Sequence, residues 1–150
     1  MHFYNSKFNR LYTTIICILL TITTYGQSED YKKIELALTN ADINTLLEYA
    51  PEINYGNVQF STPNFKMKEL NKTELNEELK TYYQDLSDFK YEQLFNDELN
   101  HLPFIVGKFV YNKKTEYVMI GMADFGGSFK YLSFQIVNQL PPNMKTLDKK

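Results

Sequence analysis

The fold of this protein is decided by residues 104–138, FIVGKFVYNKKTEYVMIGMADFGGSFKYLSFQIVN. This stretch contains three apolar runs, which are separated by Asn112-Lys113-Lys114 and by Gly126-Gly127. Turn-forming residues between apolar runs of strand length are typical of β-hairpins, and a Gly-Gly pair is one of the hairpin signals. The sequence therefore predicts three successive antiparallel strands at Phe104–Tyr111, Glu116–Ala123 and Phe129–Asn138.

Alternation along these strands predicts which residues share a face. In the last strand, Leu132, Phe134 and Ile136 are expected on one face. Residues 89–95, FKYEQLF, also alternate with a period of two, so a fourth long strand is predicted there. Residues 117–123 are apolar on both faces. This pattern favours a central strand buried on both sides, and the alternative is a sheet that dimerises through its outer face.

Helical spacing characterises the residues before the sheet. Residues 29–39 carry apolar side chains at intervals of three and four, which predicts a first helix. A short second helix is predicted to begin near Asn40 or Asp42, which are good caps, and to end before Pro51. Short extended segments are expected next, at Ile53–Tyr55, at Val58–Ser61 after Gly56-Asn57, and at Phe65–Leu70, where a lead-in to the next helix is the alternative.

The longest predicted helix begins at Asn71. Glu74 follows three residues later, an arrangement typical of a capping box. Leu75, Leu79 and Tyr82 then follow at intervals of four and three, so one face of this helix is expected in the core.

These elements define the α+β class. We expect a curved antiparallel sheet of about four long strands wrapped around the long helix, with one or two further N-terminal helices. No repeat or linker interrupts residues 27–140, which are predicted to form one domain. Residues 141–150 are predicted to be a disordered tail.

Residues 7–27, KFNRLYTTIICILLTITTYGQ, have the pattern of a secretory signal. Lys7 and Arg10 precede a short apolar core at Leu11–Leu20, and cleavage is expected near Gly26/Gln27. The alternative, an uncleaved anchor, needs about 20 predominantly apolar residues. The sequence therefore predicts an exported protein, periplasmic or extracellular, with no stable membrane anchor after cleavage.

The composition of the predicted mature chain disfavours several function classes. It has no arginine and no cysteine, and His101 is its single histidine. Arginine is the usual bidentate partner of phosphate, and nucleic-acid binding needs a basic surface, so no nucleic-acid partner is expected. Metal sites built from His and Cys, and Ser/His/Asp catalysis, also lack their residues. No metal or cofactor is indicated.

Two residues are candidates for catalysis. Asp124 lies at the end of a predicted strand, where a carboxylate in an apolar pocket can act as a base. The competing interpretation is a turn aspartate before Gly126-Gly127, which the sequence favours. His101 could act as a general acid or base, because histidine side chains exchange protons in the physiological range, but it has no partner in the sequence and is expected in a solvated loop.

Aromatic and methionine side chains are candidates for ligand binding. They could line an apolar pocket, although such residues more often fill a core. The candidates are Tyr82, Tyr91, Tyr117, Met119 and Phe134.

Three stretches resemble the nuclear transport factor two-like (cystatin-like) α+β cone, and more narrowly a family of small secreted bacterial domains of unknown function with that fold. They are Ile34–Glu48, Phe104–Phe109 and Gly126–Ile136. The resemblance implies a pocket inside the cone and often a dimer. It brings no catalytic residues with it.

The sequence favours a non-enzymatic exported binding or interaction module. Its partner would be a small apolar ligand in the cone or a protein that contacts the sheet, and a homodimer through the sheet is the self-association it predicts. The alternative is a small isomerase or dehydratase that uses a carboxylate or histidine base in the cone pocket.

Overall fold

The computed structural model describes residues 29–52, 59–62, 65–69, 71–99 and 101–149. The predicted signal sequence and the expected extended segment at Ile53–Tyr55 lie outside the described residues, as does the Gly56-Asn57 turn. The structure therefore bears on the folded domain and not on export.

Helices and strands follow one another much as predicted. The described helices are α1 (residues 29–40), α2 (Ile43–Glu48) and α3 (Lys72–Asp85). The described strands are β1 (Gln59–Thr62), β2 (Phe65–Glu69), β3 (Lys90–Leu99), β4 (Leu102–Tyr111), β5 (Lys114–Asp124) and β6 (Phe129–Val137). Two 3-10 helices follow at Pro142–Met144 and Leu147–Lys149.

The strands form one sheet in the order β2-β1-β6-β5-β4-β3. Strands β3 to β6 are an antiparallel meander, β1 pairs in parallel with β6, and β2 pairs antiparallel with β1. Residues 65–69 are thus a strand and not a lead-in to the helix. The predicted α+β class, with a curved sheet of four long strands around the helices, is confirmed.

The predicted cap of the longest helix is also confirmed. The Asn71 side chain accepts a hydrogen bond of 2.9 Å from the backbone N–H of Glu74. This bond satisfies one of the amide donors that the first turn of a helix leaves free. At α2 the cap is Asp42, whose carboxylate accepts from the N–H and the hydroxyl of Thr45.

The main core lies between the helices and the inner face of the sheet. Ile34 and Leu38 of α1, with Leu75 and Leu79 of α3, are fully buried there. The sheet contributes alternate residues of its central strands, including Ile105, Phe109, Val118 and Ile120. Each such side chain contributes about 1.5–3 kcal/mol on burial, so this layer supplies most of the driving force for folding.

Strand β6 differs from the predicted alternation. The pairing register shifts between Gly121 and Met122, so that Leu132 is an extra residue in β6, a β-bulge. Tyr131 is therefore buried on the inner face with Phe134 and Ile136, whereas Leu132 is only half-buried. The expectation that Leu132 shares a face with Phe134 was wrong, because a bulge changes the parity of the strand.

The β3–β4 hairpin is longer than the sequence indicates. The polar residues 96–98 and Leu99 belong to β3, and their pairing with β4 continues to Leu99 opposite Leu102. His101 lies in the turn with a positive φ of 64°, so it is not in a longer loop before the strand. Polar side chains at the end of a hairpin are solvated, so they do not interrupt the backbone ladder.

Residues 141–149, which the sequence predicts to be a disordered tail, are described in the structure as a segment with regular turns. They form the two 3-10 helices and lie on the outer face of the sheet, where Met144 and Leu147 pack against a second apolar cluster. We call residues 141–149 the strap. Its order comes from contacts with distant residues, which local composition does not reveal.

Gly107→Ala should destabilise the domain. A Cβ at position 107 would clash with the hydroxyl and the ring of Tyr91, and this ring is held in the core. Overpacking of this kind costs about 1–3 kcal/mol, which chemical denaturation can measure.

Gly121→Ala is the matched control on the neighbouring strand. Its Cβ would meet the Ser133 hydroxyl at 2.9 Å, the end of a small side chain, so a smaller loss of stability is expected. Equal losses at both positions would show that close packing over Gly107 is not the cause.

Candidate functional site

The sheet separates the five candidate ligand-binding residues into two groups. Tyr82, Tyr91 and Phe134 pack on the inner side, whereas Tyr117 and Met119 belong to the outer cluster. Alternation along β5 explains this, because residues 117 and 119 point away from the face that carries Val118. The five therefore do not line one pocket.

On the inner face the aromatic rings pack against one another. Phe109 lies at the centre, and four rings surround it with centroid distances between 5.3 and 6.0 Å, those of Tyr82, Tyr83, Phe89 and Tyr91. Most of these pairs are edge-to-face or tilted, the geometries that aromatic rings prefer. The candidates Tyr82 and Tyr91 thus fill space between α3 and the sheet.

Glu116 is a buried carboxylate that the sequence analysis missed. It is 8% exposed, and the Tyr82 hydroxyl donates a 2.8 Å hydrogen bond to its Oε2. Burial and a hydrogen bond with Glu116 also raise the pKa of Tyr111 to about 12. The sequence did indicate this position, because Glu116 lies two and four residues before Val118 and Ile120 and therefore on the same inner face of the strand.

This cluster is suited to holding the core together and poorly suited to acid–base catalysis. Burial, followed by the hydrogen bond to Glu116, raises the pKa of Tyr82 well above its usual value of 10.0. Both tyrosines therefore stay protonated near neutral pH and act as donors to the carboxylate. A general base must reach a substrate, whereas Glu116 is buried and accepts a hydrogen bond from Tyr82.

Tyr131 has a buried hydroxyl that finds no hydrogen-bond partner among the residues that the structure describes. The side chain is fully buried, its ring lies 5.5 Å from that of Phe134 and 5.9 Å from that of Tyr49, and burial raises its pKa well above 10.0. An unsatisfied buried hydroxyl costs about 1–3 kcal/mol. Tyr131 thus contributes ring packing, while its hydroxyl opposes folding.

The two candidate catalytic residues lie at hairpin ends and not in the core. Asp124 is exposed, and its Oδ1 accepts a 2.6 Å hydrogen bond from the N–H of Gly127, so it organises the β5–β6 turn. His101 is exposed in the β3–β4 turn. The meander places both turns at the same end of the sheet, but no ion pair joins the two described side chains. The geometry matches the turn interpretation of Asp124.

The outer face of the sheet carries a second apolar cluster. Val106, Met119 and Leu140 are buried in it, although they face away from the helices. Half-buried side chains of the sheet and of the strap surround them: Leu94, Phe95, Phe104, Tyr117, Val137, Met144 and Leu147. The strap therefore covers part of a face that would otherwise be exposed.

A polar contact holds the far end of the strap. The Asp148 carboxylate accepts a 2.8 Å hydrogen bond from Lys108 Nζ and a 2.6 Å hydrogen bond from the Tyr117 hydroxyl. Lys108 also lies 3.3 Å from Glu92. The hydrogen bonds from Lys108 and then Tyr117 lower the pKa of Asp148, and the bond to Asp148 raises that of Lys108. We call Asp148, Lys108 and Tyr117 the latch.

The strap leaves space on both sides of this contact. An open groove of about 310 Å³ is lined by Tyr117, residues 138–140, Lys145 and Asp148. A smaller and more apolar pocket of about 120 Å³ lies between the strap and the β3–β4 hairpin. Its lining residues are Phe95, Leu99, Phe104, Val106, Asn143, Met144 and Leu147.

Exposed apolar side chains continue this surface towards the hairpin tip. Leu99 and Leu102 form a cross-strand pair with exposures of 36% and 42%. By strand parity they lie on the same outer face as Phe104 and Val106. The candidate functional site is therefore the outer face, formed by the hairpin, the central strands and the strap.

The described part of the chain contains neither a cluster of metal-ligating side chains nor a helix suited to span a membrane. Across residues 29–52, 59–62, 65–69, 71–99 and 101–149, no group of three His, Cys, Asp or Glu side chains is placed to hold a metal ion. Among the same residues, no helix has the length and apolar character needed to cross a membrane.

Comparison with known proteins finds likeness at the level of structure. No protein-family model and no curated protein matches the sequence. A DUF4783 family protein from Bacteroides ovatus superposes with a TM-score of 0.59 at 9% identity, over 73% of this chain and 94% of that one. An NTF2-like protein of unknown function from Pseudomonas putida gives 0.58 at 11% identity, over 83% and 92%.

A third solved structure, an uncharacterised cystatin fold protein from Novosphingobium aromaticivorans, gives a TM-score of 0.54 at 10% identity, over 74% and 97%. At such identities the likeness establishes the fold alone. The chain thus has the NTF2-like, cystatin-like α+β cone fold, and the resemblance noted from its sequence is confirmed. The similar proteins bring no established activity with them.

Tyr131→Phe should stabilise the domain. The substitution keeps the ring and removes a buried hydroxyl for which the described part of the chain offers no partner, so a gain of about 1 kcal/mol in the free energy of unfolding is expected. Equilibrium denaturation measures the change.

Tyr82→Phe is the matched control, because it removes a hydroxyl that donates to buried Glu116. It should cost about 1–2 kcal/mol. If Tyr131→Phe is as destabilising as Tyr82→Phe, then the Tyr131 hydroxyl is satisfied in solution and our account of it is wrong.

Acid should release the strap. Asp148 has a lowered folded pKa, so its contribution is complete above its usual value of 3.8 and is lost as the pH falls through the folded pKa. Lys108 has a raised pKa, so its contribution is complete below 10.5 and is lost as the pH rises through the folded value. Backbone amide NMR signals of the strap should therefore stay constant around neutral pH and shift only in acid, at a pH below the usual aspartate value of 3.8.

Asp148→Asn provides the control at neutral pH. The variant should show released-strap signals at pH 7 and no acid transition of its own, while the signals of β5 stay as in the wild type. Identical strap signals in variant and wild type at pH 7 would mean that the latch does not hold the strap.

Proposed function

We propose that this protein is an exported, non-enzymatic interaction module that binds a partner protein through the outer face of its sheet. The observation that carries the proposal is the second apolar cluster, which lies on the face away from the helices and is only partly covered by the strap. Contiguous apolar surface of this kind is typical of protein-interaction sites.

The inner face supports a structural role. Phe109 and its four ring neighbours occupy the space between α3 and the sheet, and Glu116 is engaged by tyrosine hydroxyls. Ligand binding in the cone would have to displace this packing, whereas the outer groove is already open to solvent. The candidates for acid–base chemistry, Asp124 and His101, are exposed turn residues. A binding role through the outer face therefore fits better than catalysis in the cone.

The outer face has the composition that protein contacts require. Its centre is apolar and aromatic, with Phe95, Phe104 and Met119, and its margin carries the charged side chains Glu92 and Lys108. Apolar centres with polar margins characterise protein–protein interfaces, in which aromatic and methionine side chains are enriched. Export rests on the charged and apolar pattern of residues 7–27.

Site-specific photo-crosslinking tests this function. A benzoylphenylalanine replaces Leu102 on the outer face in the full chain, expressed in cells that export it, and the intact mass of the exported protein shows where the mature chain begins. We expect a discrete protein adduct at position 102, because this residue lies beside the apolar pocket and is exposed.

Leu36 provides the matched control position, since it is an exposed leucine of α1 on the other side of the molecule. The adduct should be absent at position 36, and Phe104→Asp should abolish it at position 102 while the fold is retained by circular dichroism. Equal crosslinking at both positions, or none at position 102, would refute the proposed function.

A further inference from the structure

The strap shows what kind of segment the outer face accepts. Met144 and Leu147, three residues apart, pack on the cluster around Val106 and Met119, and Asp148 follows directly. Two neighbouring apolar side chains thus occupy the apolar part of the face. The carboxylate that follows meets the amine and hydroxyl of the latch.

Side chains alone hold the strap to the sheet in the described part of the chain. The backbone hydrogen bond within the strap runs from Met144 N–H to the carbonyl of Pro141 and is local. No described backbone bond joins the strap to a strand. A segment of another chain with the same side chains could therefore take its place without breaking the sheet.

The strap also leaves the apolar part of the face underfilled. The pocket of about 120 Å³ lies directly beside Met144 and Leu147, and its wall is made by Phe95, Phe104 and other apolar side chains of the hairpin. This volume is smaller than the cavity of about 150 Å³ that holds a whole benzene molecule, but a phenylalanine in place of Met144 would need only part of it. The face can thus accommodate a bulkier side chain than the strap supplies.

Charge favours an acidic residue at the other end. Lys108 is the one cation of the latch, and its side chain is 18% exposed between Glu92 and Asp148. When the strap leaves, Lys108 loses one of its two carboxylates and Tyr117 loses its acceptor. An incoming carboxylate restores both contacts. The groove therefore binds a segment in one direction, with apolar side chains at one end and an acidic residue at the other.

We propose that the outer face is a docking groove for a short partner segment with two apolar side chains three residues apart, followed by an acidic residue, and that the strap is its built-in competitor. This inference rests on the proposed function and names the kind of segment that the partner presents. Binding then requires release of the strap, so the free protein is autoinhibited.

A peptide that copies the strap tests the groove directly. The probe is a fluorescein-labelled peptide of residues 141–150, titrated with the full exported chain and followed by anisotropy. The released variant carries Leu147→Ser and Asp148→Asn in the strap. We expect it to bind the peptide at least tenfold more tightly than the wild type, because a tethered strap competes at high effective concentration.

Lys108→Ala in the released variant tests whether Lys108 recognises the acidic residue of the bound segment. It should weaken binding of the strap peptide at least fivefold and have little effect on a peptide with Asp148→Asn, because the lost contact is the one between these two groups. A peptide with Met144→Ser and Leu147→Ser should not bind, and one with Met144→Phe should bind more tightly than the strap peptide.

Three outcomes would overturn the inference. The first is equal affinity of the strap peptide for the wild type and the released variant. The second is an equal loss of affinity for the strap peptide and for the Asp148→Asn peptide when Lys108→Ala is introduced. The third is a wild-type dimer that exchanges straps between copies. Asp148→Asn alone removes the polar contacts that hold the strap but leaves Met144 and Leu147 able to rebind the face, so it should give a smaller gain. This variant serves if the released variant does not fold.

Failure of the two proposals can be told apart. A partner adduct at position 102 without strap-peptide binding would keep the outer-face function and reject the docking groove. Strap-peptide binding without an adduct at position 102 would keep the groove as an intramolecular contact and reject the partner.

Discussion

The rest of this structure depends on the burial of strand β5 on both faces. Val118 and Ile120 face the helices and are fully buried, while Met119, between them, is 7% exposed on the opposite face. A strand that is apolar on both sides needs two covering layers, because exposed apolar surface is costly in water. The helices supply one layer. The strap supplies part of the other, which makes a short irregular segment a component of the fold.

The layers that cover the two faces of β5 differ in how tightly they are packed. The inner cover is continuous, with interlocked aromatic rings and a carboxylate that tyrosine hydroxyls satisfy. Cores packed in this way tolerate little rearrangement. The outer cover consists of two short 3-10 helices held by side chains, with open space beside them. Local stability is lowest where few apolar contacts hold a segment, so the outer cover is easier to displace than the inner one.

Much of the fold followed from local patterns because those patterns have local causes. The cap at Asn71, the period of two in β3 to β6 and the turns at Asn112 and Gly126 depend on residues close in sequence. The residues of the candidate site were harder to predict from the sequence. Tyr117 and Met119 were identified as aromatic or methionine candidates, but the sheet separates them from Tyr82, Tyr91 and Phe134. Glu116 was overlooked, although its parity with Val118 placed it on the inner face.

The sequence by itself determined the α+β class, the main helices and strands, and the shortage of catalytic side chains. The tertiary structure decided the features that depend on residues far apart in the sequence. The bulge at Leu132 depends on the register between β5 and β6. The order of the strap depends on Lys108 and Tyr117, which are 40 and 31 residues from Asp148 in the chain. Periodicity is a property of neighbouring residues, whereas register and long-range contacts arise only when distant strands and segments pack together.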